Sequence, residues 1–346
     1  MFYGFIFFCL FSSPVPSAAD TGNTKVLSLE WVDYLEDPQL GHCHQLEVAD
    51  GVLYLLENRQ SRVLKMAWSN PLPPATLFAG HGEGPGELHL PIQSRVGHGI
   101  LTIKDNRGFS IFQEDGTFLN RFKVFSGHLS FTRIGDQIYM AHANELNHHF
   151  IDVYTTNGRK VHTFGEKFLT SLVASRGEHL TTHDEHYFYK GHLLSDGENL
   201  FYLNSTLARF KKYSPKGDLL LSRNAVEDFG PVGRFVVDRN KDYLDDLRQV
   251  RGSQTTVFEC FKHAALFQGQ IYLLRIYDYH GFEPALKSQH KALLVFDAQH
   301  LTLVNQYHLA VNPDHLVQAF TVDASGRAVL AVDTGETIRI ATALLE

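Results

Sequence analysis

The chain has 346 residues, 44% of them hydrophobic and 20% charged, so it can bury roughly three quarters of its unfolded surface without covalent staples. Lys and Arg total 31 against 38 Asp and Glu, a formal charge of -7, which leaves no broad positive field for a phosphate backbone and excludes nucleic acid as an expected partner. The 20 histidines are many for this length and add positive charge where the surroundings approach pH 6.

Met1 to Ala19 reads as a secretory signal: an apolar run from Phe2 to Phe11, then Ser-Ser-Pro-Val-Pro, then Ser17-Ala18-Ala19 as a cleavage site. It lacks the usual basic residue ahead of the apolar run. Residues 20–346 are then expected to form a single domain, secreted or periplasmic. No later stretch is long and apolar enough to span a bilayer. Cys43 and Cys260 are too few for a disulfide framework, so the core must carry the stability.

Six alternating runs recur along the chain: Val52 to Leu56, Ile100 to Lys104, Gln137 to Ala141, Asn199 to Leu203, Gln270 to Ile276 and Ala328 to Asp333. After several of them comes an aromatic residue with Gly four positions on: Phe112 with Gly116, Tyr154 with Gly158, Tyr213 with Gly217, and a degenerate Phe296 with His300. Asp-Gly and Asn-Gly suit a two-residue hairpin turn. Strand-only units repeated every few tens of residues argue for a six-bladed β-propeller. The last unit has no room for a fourth strand, while Lys25 to Trp31 is an orphan β-type run, so the N-terminal strand is expected to close the ring.

The segment Phe78 to Phe112 carries Gly80, Gly82, Gly84, Pro85, Gly86 and Glu87 in a G-x-G-x-G-P-G-E linker ahead of a strand. It resembles secreted six-bladed propellers of the NHL-repeat and TolB-like group. The resemblance implies an all-β exported fold whose members include binding scaffolds, signalling ectodomains and some metal-dependent lyases or hydrolases. The glycines let the chain cross from one blade to the next and Pro85 stiffens the crossing. A phosphate-binding loop is disfavoured, because Pro85 and Glu87 break the G-x-G-x-x-G spacing and no helix pattern follows.

Four places carry residue types suited to chemistry. His42 and His44 flank Cys43; on an innermost strand both imidazoles would face the central channel and Cys43 the blade core. His179, His183, His186 and His192, with Glu178, Asp184 and Glu185, form the densest ligand cluster, although no zinc signature is present. Both sets are read first as polar lining or solvated loop, and as metal sites second; His148 and His149 near Glu145 are weaker. Asp238-Arg239-Asn240-Lys241-Asp242 opens like a calcium loop, but Tyr243 stands where Gly must turn the chain, so it reads as a helix start, with a short helix expected around Lys241 to Val250. Asn204-Ser205-Thr206 is a glycosylation sequon expected in a blade turn.

No nucleophile elbow or P-loop occurs. The expected function is a non-enzymatic extracytoplasmic binding or scaffolding propeller, recognising a protein or glycan through one face of loops that includes 168–192 and 224–254. The alternative is a metal-dependent hydrolase or lyase at the channel mouth, with His42, His44, His183 and His186 as ligands. No cofactor is expected under the first reading; zinc or calcium would serve the second.

Overall fold

The computed structural model describes residues 25–32, 41–124, 128–142, 149–167, 188–246, 258–276, 291–312 and 314–345. Two short strands, β1 (Lys25–Leu27) and β2 (Glu30–Trp31), precede the blades. Blade 1 holds β3 (Gln45–Ala49), β4 (Val52–Glu57), β5 (Arg62–Ala67) and β6 (Thr76–Ala79). Blade 2 holds β7 (Gln93–Gly97), β8 (Ile100–Asp105), β9 (Gly108–Gln113) and β10 (Phe118–Phe122). Blade 3 holds β11 (His128–Ile134), β12 (Gln137–His142), β13 (His149–Thr155) and β14 (Lys160–Glu166). Blade 4 holds β15 (Gly191–Ser195), β16 (Leu200–Asn204), β17 (Arg209–Tyr213) and β18 (Leu219–Asn224). A helix, α1 (Gly230–Asp246), then leads to blade 5, β19 (His263–Phe267), β20 (Gln270–Ile276), β21 (Lys291–Asp297) and β22 (Thr302–Leu309). Blade 6 holds β23 (Leu316–Val322), β24 (Arg327–Asp333) and β25 (Ile338–Leu344).

Consecutive inner strands touch all the way round, β23 against β3 included, so the fold is a closed six-bladed β-propeller. The six alternating runs of the sequence are the second strands of the blades. Closure follows the expectation for part of the N-terminal run. β2 pairs antiparallel with β25, Glu30 opposite Thr342, as the fourth strand of blade 6. β1 instead adds a fifth strand to blade 5, parallel to β22. One N-terminal segment thereby covers two blade edges.

The aromatic and glycine of the repeat form a joint between blades. Phe112 packs on Phe78 of blade 1, Tyr154 on Phe122 of blade 2, and Tyr213 on Phe164 of blade 3, with ring centroids 5.5, 6.1 and 5.4 Å apart. The same outer aromatics press on the hairpin glycines: a Cβ on Gly158 would lie 2.5 Å from Phe122, and one on Gly217 2.6 Å from Phe164. These turns are three-residue loops with a left-handed Gly at the third place, not the expected two-residue turns; Gly116 N donates to Gln113 O and Gln113 N to Thr117 O. The two-residue form occurs between inner and second strands, where Asp50-Gly51 and Gln268-Gly269 both take positive φ. At the degenerate fourth copy Leu301 takes the left-handed conformation, and Phe296 packs on Phe210 and Phe229 instead.

The helix begins at Gly230, well before the expected Lys241. Pro231 fits the first turn of a helix, where a missing N–H costs nothing, and Val232, Val236 and Val237 form the buried face. Asp238, Asn240 and Asp242 therefore sit on successive helical positions about 200° apart and cannot converge on calcium. Asn240, 1% exposed, holds Thr206 O at 2.8 Å and Phe258 O at 2.9 Å.

Candidate functional site: the axial channel

Within each blade successive strands alternate in direction, which fixes the two ends of the channel. Inner strands start at one face and end at the other. The second face carries the tight turns just described and one longer connection, residues 68–75 between β5 and β6. The first, the loop face, is where the chain departs after Trp31, His142, Glu166, Asn224 and Ile276 and where it returns to β3, β13, β15, β19 and β21. The loops 168–192 and 224–254 leave from this same face. Residues 168–187 and 247–257 lie outside the described residues.

A cavity of about 880 Å³ runs along the axis, lined from all six inner strands. His42 and His44 both line it, ring centroids 6.1 Å apart. Cys43 points away into the core of blades 1 and 6 and is fully buried. Cys43 and Cys260 are both free thiols, and burial pushes both well above the usual thiol range. His192, grouped by sequence with the loop histidines, stands in the channel wall on β15, as does His263 on β19, which the sequence did not single out. His183 and His186 lie outside the described residues. Among the described residues no group of three His, Cys, Asp or Glu could hold a metal ion.

The channel histidines have a defined structural task. At one level each inner strand presents a polar side chain that bonds the backbone of the next blade. Gln45 Nε2 donates to Ser94 O at 3.0 Å while Ser94 N donates back to Gln45 Oε1 at 2.8 Å. Gln93 makes the same two-way clasp with Phe131, at 3.0 and 2.9 Å. Ser130 Oγ accepts from Leu193 N at 3.0 Å, His192 Nε2 donates to Lys262 O at 2.9 Å, and His263 bonds the backbone of Gln318. Gln318 Oε1 then accepts from Cys43 N at 2.6 Å and closes the belt. Edge backbone groups that strand pairing leaves unsatisfied are met by side chains from the neighbouring blade. Burial and neighbouring cations hold these imidazoles neutral, with His192 lowered to about 4 and His263 to about 3. His44 and His42 are lowered too, each chiefly by burial.

Above the belt, Lys190 Nζ and Glu259 Oε1 form an ion pair at 2.6 Å, and Ser205 Oγ donates to Glu259 Oε2 at 3.1 Å. Below it, Glu47 Oε1 accepts from Val96 N at 2.8 Å, and Oε2 is buried with no hydrogen-bond partner. Burial outweighs Arg95, the Val96 N–H and the Ser94 hydroxyl and pushes the Glu47 carboxyl up to about 7.

The Gly-rich linker crosses the loop face from blade 1 to blade 2. Gly84 N donates to Glu87 Oε2 at 2.6 Å, Leu88 N to Gly80 O at 2.8 Å, and Arg107 reaches the Gly82 carbonyl. A Cβ on Gly82 would sit 2.0 Å from the Glu87 carboxylate. Gly82→Ala is therefore expected to expel that carboxylate and lower stability by about 1–2 kcal/mol, the scale of a lost charge-assisted hydrogen bond; urea midpoints measure it. A change below about 0.3 kcal/mol would show that the carboxylate is not held there.

No protein-family model and no curated protein matches the chain. Among solved structures it is similar to a Bacteroides fragilis protein classed as exported, at TM-score 0.55 and 11% identity, covering 92% of this chain and 94% of that one. It is also similar to the Pan2 WD40 domain of Neurospora crassa, at TM-score 0.52 and 10% identity over 93% and 96%. A third similarity is to virginiamycin B lyase of Staphylococcus aureus, at TM-score 0.50 and 8% identity over 91% and 88%. At these identities the likeness is one of fold.

Proposed function

We propose that the protein is an extracytoplasmic binding or scaffolding propeller of the NHL-repeat and TolB-like kind, which recognises a protein or glycan through its loop face. The observation that carries this reading is asymmetry. Apart from the eight-residue connection 68–75, short turns close one face, whereas the longest connections leave from the other, around the mouth of the channel, and long loops on a regular scaffold are where recognition concentrates. Export is supported by the apolar segment ahead of Ala19 and by the exported class of the Bacteroides fragilis neighbour.

Photo-cross-linking on the native cell envelope tests the face. Exposed His81 and Lys262 lie on the loop face and exposed Asp115 and Ser325 on the turn face. A photoreactive residue at either of the first two positions is expected to trap a discrete partner about ten-fold more efficiently than one at either of the last two. Equal yields, or adducts from the turn face alone, would overturn the assignment.

A further inference from the structure

Two residues beyond each belt residue, the channel wall is divided. Blades 1 to 3 contribute Glu47, Arg95 and Thr132; blades 4 to 6 contribute Leu194, Ala265 and Phe320. One half thus presents an acid, a base and a hydroxyl, the other only hydrocarbon. We propose that this level of the channel is a binding site for a small amphipathic zwitterion, an apolar α-amino acid or a close analogue. The ammonium sits at Glu47, the carboxylate at Arg95, and the side group lies against Leu194, Ala265 and Phe320.

Three observations carry it. Glu47 Oε2 is buried and, apart from the Ser94 hydroxyl near its carboxyl, meets no donor, and such a group is costly unless something donates to it. Arg95, on the neighbouring inner strand, spends Nη1 on Ser94 O at 3.1 Å, lines the same cavity, and acts on the Glu47 carboxyl electrostatically with no ion pair between the two. The cavity, about 880 Å³, is of a size that encloses a small ligand. A purely anionic ligand would leave the acid opposed, and a purely apolar one would leave Glu47 Oε2 unmet and the Arg95 fork only partly used. The inference concerns the channel, not the loop face, so it stands or falls separately from the partner reading.

The test uses the purified protein and defined probes. Calorimetry with L-leucine on the intact chain is expected to show one site. Leucinamide, which lacks the carboxylate, and 4-methylpentanoate, which lacks the amine, are each expected to bind about ten-fold more weakly or worse. Glu47→Gln and Arg95→Met are expected to lose affinity by the same factor, while Trp fluorescence and near-ultraviolet dichroism report an intact fold. The truncated probes need no variant, so a folding defect in either one does not blunt the result. The proposal is overturned if no free L-amino acid at about 10 mM raises the melting temperature, or if L-leucine and its two truncated forms bind alike.

Discussion

Asn204→Ala is expected to lower stability by about 3–5 kcal/mol, a large share of what a single domain has. Asn204 is fully buried, although it belongs to the Asn204-Ser205-Thr206 sequon. Its Nδ2 donates to Phe188 O at 2.7 Å and to Lys190 O at 3.1 Å, and its Oδ1 accepts from Leu207 N at 2.7 Å and Thr206 Oγ1 at 3.2 Å. Removing the amide strands several of these groups at once in a place that water does not reach. Asn240 of α1 seals the turn from above through Thr206 O. The sequon is closed in the folded state, and a glycan attached to the nascent chain would be incompatible with this network, so chains that reach the native fold in a eukaryotic secretory pathway are expected to carry none at Asn204. Urea midpoints for Asn204→Ala, with exposed Ser222→Ala as control, and the mass of the secreted protein check the two statements. A loss below about 1 kcal/mol would mean that the network is replaceable.

The blade count was legible because the repeat serves a packing purpose. Phe112, Tyr154 and Tyr213 recur because each must meet an aromatic of the preceding blade, and Gly158 and Gly217 because that aromatic leaves no room for a Cβ. The aromatic and the glycine of each joint stand four residues apart in sequence, so half of the joint is written locally. Where a different partner does the packing, as Phe229 does for Phe296, the signature decays. The helix start is hidden for a related reason: Gly230-Pro231 reads as a loop in isolation, yet Pro is equally at home in a first helical turn.

The channel was much less legible. Gln45, Gln93, Ser130, His192 and His263 look unrelated, and nothing local says that they occupy one level. A signal exists in their pairing: Gln45 faces Leu56, Gln93 Lys104, Ser130 Ala141, His192 Leu203 and His263 Leu274, with one constant spacing in sequence. Reading it requires the blade register first. Sequence order groups His192 with its chain neighbours and gives His263 no mark, because sites in a propeller assemble across blades. Glu47 and Arg95 were invisible for the same reason.

Replacing His192 and His263 together by Gln is expected to make the protein markedly more resistant to acid. Gln already performs the belt's task at Gln45, Gln93 and Gln318, so the substitution keeps an amide donor and removes the titration. His192 faces Arg95, Lys190 and Lys262 O; His263 faces His192, His44, Lys262 and the Gln318 backbone. Their folded-state values, about 4 and about 3, lie below the unfolded value near 6.5. Between these limits the unfolded chain takes up protons that the folded chain refuses. Stability is complete above about pH 6.5 and falls as the pH drops below it. Glu47 acts in the opposite sense: with its carboxyl raised to about 7, the folded chain binds a proton ahead of the unfolded one and gains stability as the pH falls toward 4.5. Wild type thus shows the histidine loss partly offset by Glu47, and the variant, which keeps Glu47, isolates the histidines. At pH 4.5 the variant is expected to exceed wild type by about 2–4 kcal/mol more than it does at pH 7.5, read from urea midpoints at the two pH values. Parallel pH profiles would mean that water entering the channel solvates the imidazolium ions, and that the belt is not held together by neutral histidines.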